Sequence, residues 1–189
     1  MDMLYAFLYV NIQKSYSISI SPIGLNPVER KPLKPNRPEI LLAKMKTIGN
    51  SSRDSEVIAK LKAYVYDIIG CCQDVHHELG SSLNEYIYQE ALKFAFEEKQ
   101  IPFEKEFYFQ VYYRGHPLPH KHYMDFLCKG DVVLECKAIA ALGPEQRQQL
   151  WNYMRLAHIP IGILYNFAPS RDQCEKYYYD ENSKTIQPF

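Results

Sequence analysis

The chain has no long apolar run. No stretch approaches the roughly 18 consecutive apolar residues of a membrane-spanning helix, so no span is expected. A cysteine framework is missing too. Cys71-Cys72 are adjacent and Cys128, Cys136 and Cys174 stand alone, an odd count of five without disulfide or zinc spacing. That pattern suits buried thiols in a reducing cytoplasm. There is no glycine-rich phosphate loop and no internal repeat. The apolar start, Met1 to Val10, lacks a basic region and a small-residue cleavage site, so it does not read as a secretory leader. An excess of one charge is absent as well, because 22 Lys/Arg balance 22 Asp/Glu. Residues 1–50 hold seven Lys/Arg against three Asp/Glu, which leaves residues 51–189 acidic at fifteen against nineteen. A domain that grips a duplex usually shows a basic face, and the linear sequence shows none.

What is present suits one domain with a real core, since 189 residues at 47% hydrophobic content are ordinary for a globular protein. Residues 1–52 read as a poorly ordered extension, because Pro22, Pro27, Pro32, Pro35 and Pro38 recur among polar residues. Met45 is an alternative beginning. The domain proper is expected over 53–189. From Glu56 to Leu79 apolar residues recur in steps of three and four, the period of a helix, with Gly80 closing it. Ser82 is expected to cap a second helix to about Lys99, with Glu85 completing a capping box. Strands follow over Glu106–Tyr113, over Tyr123–Cys128 and over Val132–Lys137. A third helix runs from Pro144 to about Ala157, then a central strand over Pro160–Phe167 and a short last one near Lys176–Tyr179.

Asp125 and, ten residues on, Glu135-Cys136-Lys137 carry the chemistry. These charges lie inside runs that otherwise read as buried strands, where charge is rarely tolerated unless paired or bound to metal. Strand alternation points Glu135 and Lys137 the same way. A hairpin at Lys129-Gly130-Asp131 that sets Asp125 opposite or diagonal to Glu135 adds it to that face. A two-residue Lys-Gly loop would send it to the other. Two acids and a lysine on one face make a divalent-metal site for phosphodiester hydrolysis, with Mg²⁺ or Mn²⁺ held by Asp125, Glu135 and the Cys136 carbonyl. A cross-strand ion pair of Lys137 with one acid explains the trio equally well. Glu85 is a further carboxylate or only a cap residue. Gln149 and Tyr153, four apart on one helical face, touch the site or merely complete an amphipathic helix. His120 and His122 share a strand face and are candidate ligands, but with no evident partner they read rather as loop-edge polar residues, and His76-His77 receive no role.

In order, Val75-His76-His77-Glu78-Leu79-Gly80, Leu83-Asn84-Glu85-Tyr86-Ile87-Tyr88, Met124-Asp125-Phe126, Leu134-Glu135-Cys136-Lys137-Ala138, Gln149-Leu150-Trp151-Asn152-Tyr153 and Ile161 to Phe167 resemble the GxxExxY proteins of the PD-(D/E)XK nuclease-like superfamily. The likeness covers about residues 56–170. It implies an α/β fold, a three-layer restriction-endonuclease-like core whose central mixed sheet is flanked by helices. It also implies that Glu85 is the helical acid, Asp125 the metal-binding aspartate, Glu135 and Lys137 the E-x-K pair, and Gln149 and Tyr153 the trailing element. The glycine that names the motif is Ser82 here.

The expected function is metal-dependent cleavage of DNA, or of RNA, by a cytoplasmic protein, with Glu85, Asp125, Glu135, Lys137 and Gln149 catalytic and Glu85, Asp125, Glu135 and Cys136 on Mg²⁺ or Mn²⁺. A homodimer is expected from how such nucleases reach both strands. The rival is a non-catalytic module of the same fold that binds a protein or nucleic-acid partner, supported by the acidic balance of residues 51–189.

Overall fold

The computed structural model describes residues 52–189. The extension expected over residues 1–52, with Met45 in it, lies outside these but for Ser52. Helix α1 spans Ser52–Leu79, 28 residues, and begins four residues before the periodicity predicts. It buries Leu61, Val65, Ile68, Cys72 and Val75. Gly80, at φ +72°, ends it by donating its N–H to the His76 carbonyl at 2.9 Å.

Helix α2 spans Glu85–Glu98, and here one expectation fails. Its N-cap is Asn84 in extended backbone, without a side-chain cap bond. Ser82 lies two residues earlier at φ +73°, in the left-handed region that favours glycine, and so cannot cap the helix. Tyr88 holds the α1–α2 link together. Its hydroxyl accepts from the Leu83 N–H at 3.1 Å and donates to the Gly80 carbonyl at 2.8 Å, while its ring stacks on Phe167 at 4.4 Å.

The strands are β1 (Phe103–Phe109), β2 (Tyr112–Tyr113), β3 (His116–Pro117), β4 (His122–Cys128), β5 (Val132–Lys137), β6 (Ile161–Asn166), β7 (Gln173–Asp180) and β8 (Thr185–Pro188). Helix α3, Pro144–Ala157, links β5 to β6. Six strands form one sheet in the order β1-β4-β5-β6-β7-β8, while β2 and β3 make a separate hairpin. Only β5 and β6 run parallel, which is why a helix must cross between them. The fold is therefore α/β, a mixed sheet between α1 and α2 on one face and α3 on the other. Strand β8 and the short β3 have no counterpart in the sequence reading, and the single strand expected over Glu106–Tyr113 is two, β1 starting earlier and ending at Phe109 and β2 following at Tyr112–Tyr113.

Side chains of Val132, Leu134, Cys136, Ile161, Ile163 and Tyr165 pack beneath α1 and α2, while Val133, Leu164, Leu150 and Met154 fill the α3 side. Gly162 lets α3 lie close, because a Cβ there would come within 2.4 Å of Met154 Sδ and 3.0 Å of Leu150 Cδ1. Among the described residues no helix is long and apolar enough to cross a membrane.

The β1–β4 ladder departs from simple alternation. Phe103 and Phe126 face α1 and α2, yet Phe107 and Met124 face α3, although Phe103 shares parity with Phe107 on β1 and Met124 with Phe126 on β4. The register is the same on both sides, Lys105 opposite Phe126 and Phe107 opposite Met124, so no residue is inserted. The rung between, Glu106 and Asp125, is the unpaired one, and Glu106 sits at φ +50°. Both strands change face at the rung that carries Asp125.

Candidate active site

In the β4–β5 hairpin Cys128 opposes Val132 across Lys129-Gly130-Asp131, and Phe126 opposes Leu134. That register brings Asp125 and Glu135 to the next rung, where the backbone ladder gives way to side chains. Asp125 Oδ2 accepts the Cys136 N–H at 2.8 Å, and Glu135 Oε1 accepts the Asp125 N–H at 3.3 Å. Lys137 Nζ reaches Glu135 Oε2 at 3.3 Å, two residues along the same face. Glu85, at the first turn of α2, takes the Ala138 N–H. Carboxylates thus satisfy the N–H groups of Cys136 and Ala138 where β4 has turned away.

Glu135 is 1% exposed. Burial, reinforced by the Asp125 carboxylate, pushes its pKa up to about 8 against the pull of Lys137. Asp125 is raised by burial as well, and opposed by Lys137, by the Cys136 N–H and by the Gln89 amide. Burial raises Glu85 too, with Lys137 working against it. For Lys137 burial pulls the pKa down, but Glu135, Asp125 and Glu85 outweigh it and the net shift is upward. The site therefore gathers three carboxyl groups around a single ammonium.

Gln89 is the residue that sequence reasoning missed. One turn beyond Glu85, it donates to Glu85 Oε1 at 3.4 Å and hydrogen-bonds the Asp125 carboxyl, bridging helix and strand. Its spacing of four from Glu85 was the available signal. From the opposite face α3 brings Tyr153, whose hydroxyl feels Glu135, Asp125 and Lys137, and Gln149 Nε2 donates to that hydroxyl at 3.0 Å. The Cys136 thiol points away among the residues under α1 and α2. His76 is 7% exposed and meets Asp172 at 3.0 Å, while the Tyr165 hydroxyl donates to the same carboxylate at 2.6 Å, which ties α1 to the β6–β7 connection.

Among the described residues no three His, Cys, Asp or Glu side chains stand close enough to enclose an ion by themselves. The donor set still fits a hard divalent cation. Asp125 and Glu135 offer carboxylate oxygens across one rung, and a cation between them would relieve the repulsion that adds to burial in raising Glu135. Glu85 stands behind them through Ala138 and Gln89.

Residues 62–177 match the PD-(D/E)XK nuclease superfamily. No curated protein matches. The crystal structure of SSO0001 is 19% identical with a TM-score of 0.41, over 52% of this chain and 53% of that one, so the likeness spans about half of each.

Proposed function

Because the chain belongs to the PD-(D/E)XK nuclease superfamily, we propose that it is a Mg²⁺- or Mn²⁺-dependent nuclease that hydrolyses phosphodiester bonds in DNA or RNA. Within the superfamily its motifs resemble those of the GxxExxY proteins. The observation that carries the reading is the carboxylate pair of half-buried Asp125 and buried Glu135, which share one lysine at the end of β5. Two acids drawn from water against one ammonium are costly as a purely structural device. They are what a cation site requires.

Asp125 and Glu135 would hold the divalent ion, which would supply an acidified water and offset the negative charge that builds on the phosphoryl oxygens. Lys137, kept protonated by its three acidic neighbours, acts as a fixed positive charge and donor toward a phosphate oxygen rather than as a base. Glu85 and Gln89 orient Asp125. Gln149 directs its N–H at the Tyr153 oxygen, which leaves the phenolic proton to donate toward substrate.

Titration calorimetry with Mn²⁺ or Mg²⁺, wild type beside Asp125→Ala, tests this. Binding in the wild type that vanishes in the variant, with cleavage of a labelled polynucleotide in the same metal, supports the nuclease. Absence of both favours the non-catalytic module, in which these acids serve only the Cys136 and Ala138 N–H groups.

A further inference from the structure

Between Glu106 and Asp125 the sequence has no acid at all. Phe107 to Met124 carries Arg114 and Lys121, three histidines at 116, 120 and 122, and tyrosines at 108, 112, 113 and 123. Cations interleaved with rings are the composition of surfaces that follow a nucleic-acid backbone and stack its bases. The fold turns this run into an arm. Strands β2 and β3 pair through a turn at Arg114, φ +49°, and Gly115, φ +81°. Residues 112–121 are all exposed. The base of the arm is fixed by the Leu118 N–H on the Val111 carbonyl at 2.9 Å and by Gln110 Nε2 on the Leu118 carbonyl at 2.6 Å. The Arg114 guanidinium lies 5.4 Å from the centre of the Tyr113 ring.

From the arm a tier of rings leads straight to the site. His120 meets His122 at 4.7 Å, His122 lies over Phe109 at 5.3 Å and 28°, and Phe109 meets Tyr153 edge-on at 5.6 Å. A groove of about 660 Å³ runs along α3, lined by Gln148, Gln149, Asn152 and Tyr153, with His122 of β4 on its other side. That volume lies inside the roughly 300–1,000 Å³ of small-molecule-sized sites. Burial, with His120 beside it, lowers the His122 pKa, so its ring is a neutral stacking surface at neutral pH. One acid, Glu145, lines the groove, and Arg155 on α3 stands exposed, bonded to Asn152.

We propose that the β2–β3 arm and this groove hold an unpaired nucleic-acid strand, its bases stacked on the His122 and Tyr153 rings that line the groove, and that the substrate presents single-stranded nucleic acid at the scissile phosphate. The inference rests on the nuclease reading and narrows it. Stacked, paired bases of a duplex leave no ring faces for His122 or Tyr153. Two fixed cations on the arm are also too few for duplex binding that draws on roughly 6–10 phosphate contacts. Stacking supplies what charge does not, and the amides of Gln148 and Gln149 suit base edges that a duplex would occupy.

The test is fluorescence anisotropy on the full chain carrying Asp125→Ala, in EDTA, with a labelled oligothymidylate of about 20 nucleotides and a blunt duplex of equal length. The single strand is expected to bind at least about tenfold tighter than the duplex. His122→Ala is expected to weaken it about tenfold. Arg114→Ala with Lys121→Ala should also weaken it, and should reduce the logarithmic salt slope by about 1.4, for two phosphate contacts. Both variants should melt like their parent. Tighter duplex binding, no oligonucleotide binding, or variants that bind like the parent overturn the proposal, and the surface then suits a protein partner. Cleavage by the otherwise wild-type chain in Mn²⁺ is scored separately. Cleavage untouched by the arm variants sinks the arm alone, and strand binding without cleavage sinks the nuclease alone.

Discussion

At the scale of single residues, Glu135 sets the strongest expectation. Its carboxyl ionises near its ordinary value in the unfolded chain but only at about 8 in the fold. Between those values the unfolded state sheds its proton first, so the contribution of Glu135 to stability falls as pH rises. In EDTA, Glu135→Gln is therefore expected to match the wild type near pH 5 and to exceed it at pH 8–9, by on the order of 1–2 kcal/mol in urea melts. An equal gain at both pH values would count against the burial account. Ser82 offers a second test. At φ +73° a residue with a Cβ costs roughly 1–2 kcal/mol, of which the extra backbone freedom of glycine cancels about half. Ser82→Gly should raise stability by about 0.5 kcal/mol, read as a rise in Tm. Asp125, Glu135 and Lys137 were legible because charge inside strand patterns is conspicuous. Gln89 was not, since a glutamine on a helix announces nothing until the strand it reaches is known.

Among the elements, α1 and α3 were legible from their periodicity, their closing Gly80 and the opening Pro144. The strand β6 was legible as an apolar run. What escaped was the rung at Glu106 and Asp125. The β4–β5 register that sets Asp125 opposite Glu135 was one of the two left open, but a left-handed Glu106 turns β1 and β4 over without changing their register, and nothing in the order of polar and apolar residues marks that turn. Strand β8 escaped because Thr185–Pro188 is short, mostly exposed and ends in proline. The packing of α3 on β6 yields its own expectation. Gly162→Val drives two methyl groups into Met154 and Leu150, and should cost about 1–3 kcal/mol in urea unfolding, with a raised KM or lost activity as α3 shifts Tyr153.

For the molecule as a whole, metal should behave as a ligand of the folded state. At a concentration about 100-fold above its Kd, Mn²⁺ should add about 2.7 kcal/mol of stability, seen as an upward shift in Tm that Asp125→Ala abolishes. A shift that persists in the variant would place the ion elsewhere. The Cys136 and Ala138 N–H groups are meanwhile satisfied by Asp125 and Glu85. The acids that would hold the ion thus also close the end of the sheet. Removing either one strips a strand N–H of its partner, so loss of cleavage and loss of fold would arrive together unless melts are read beside activity.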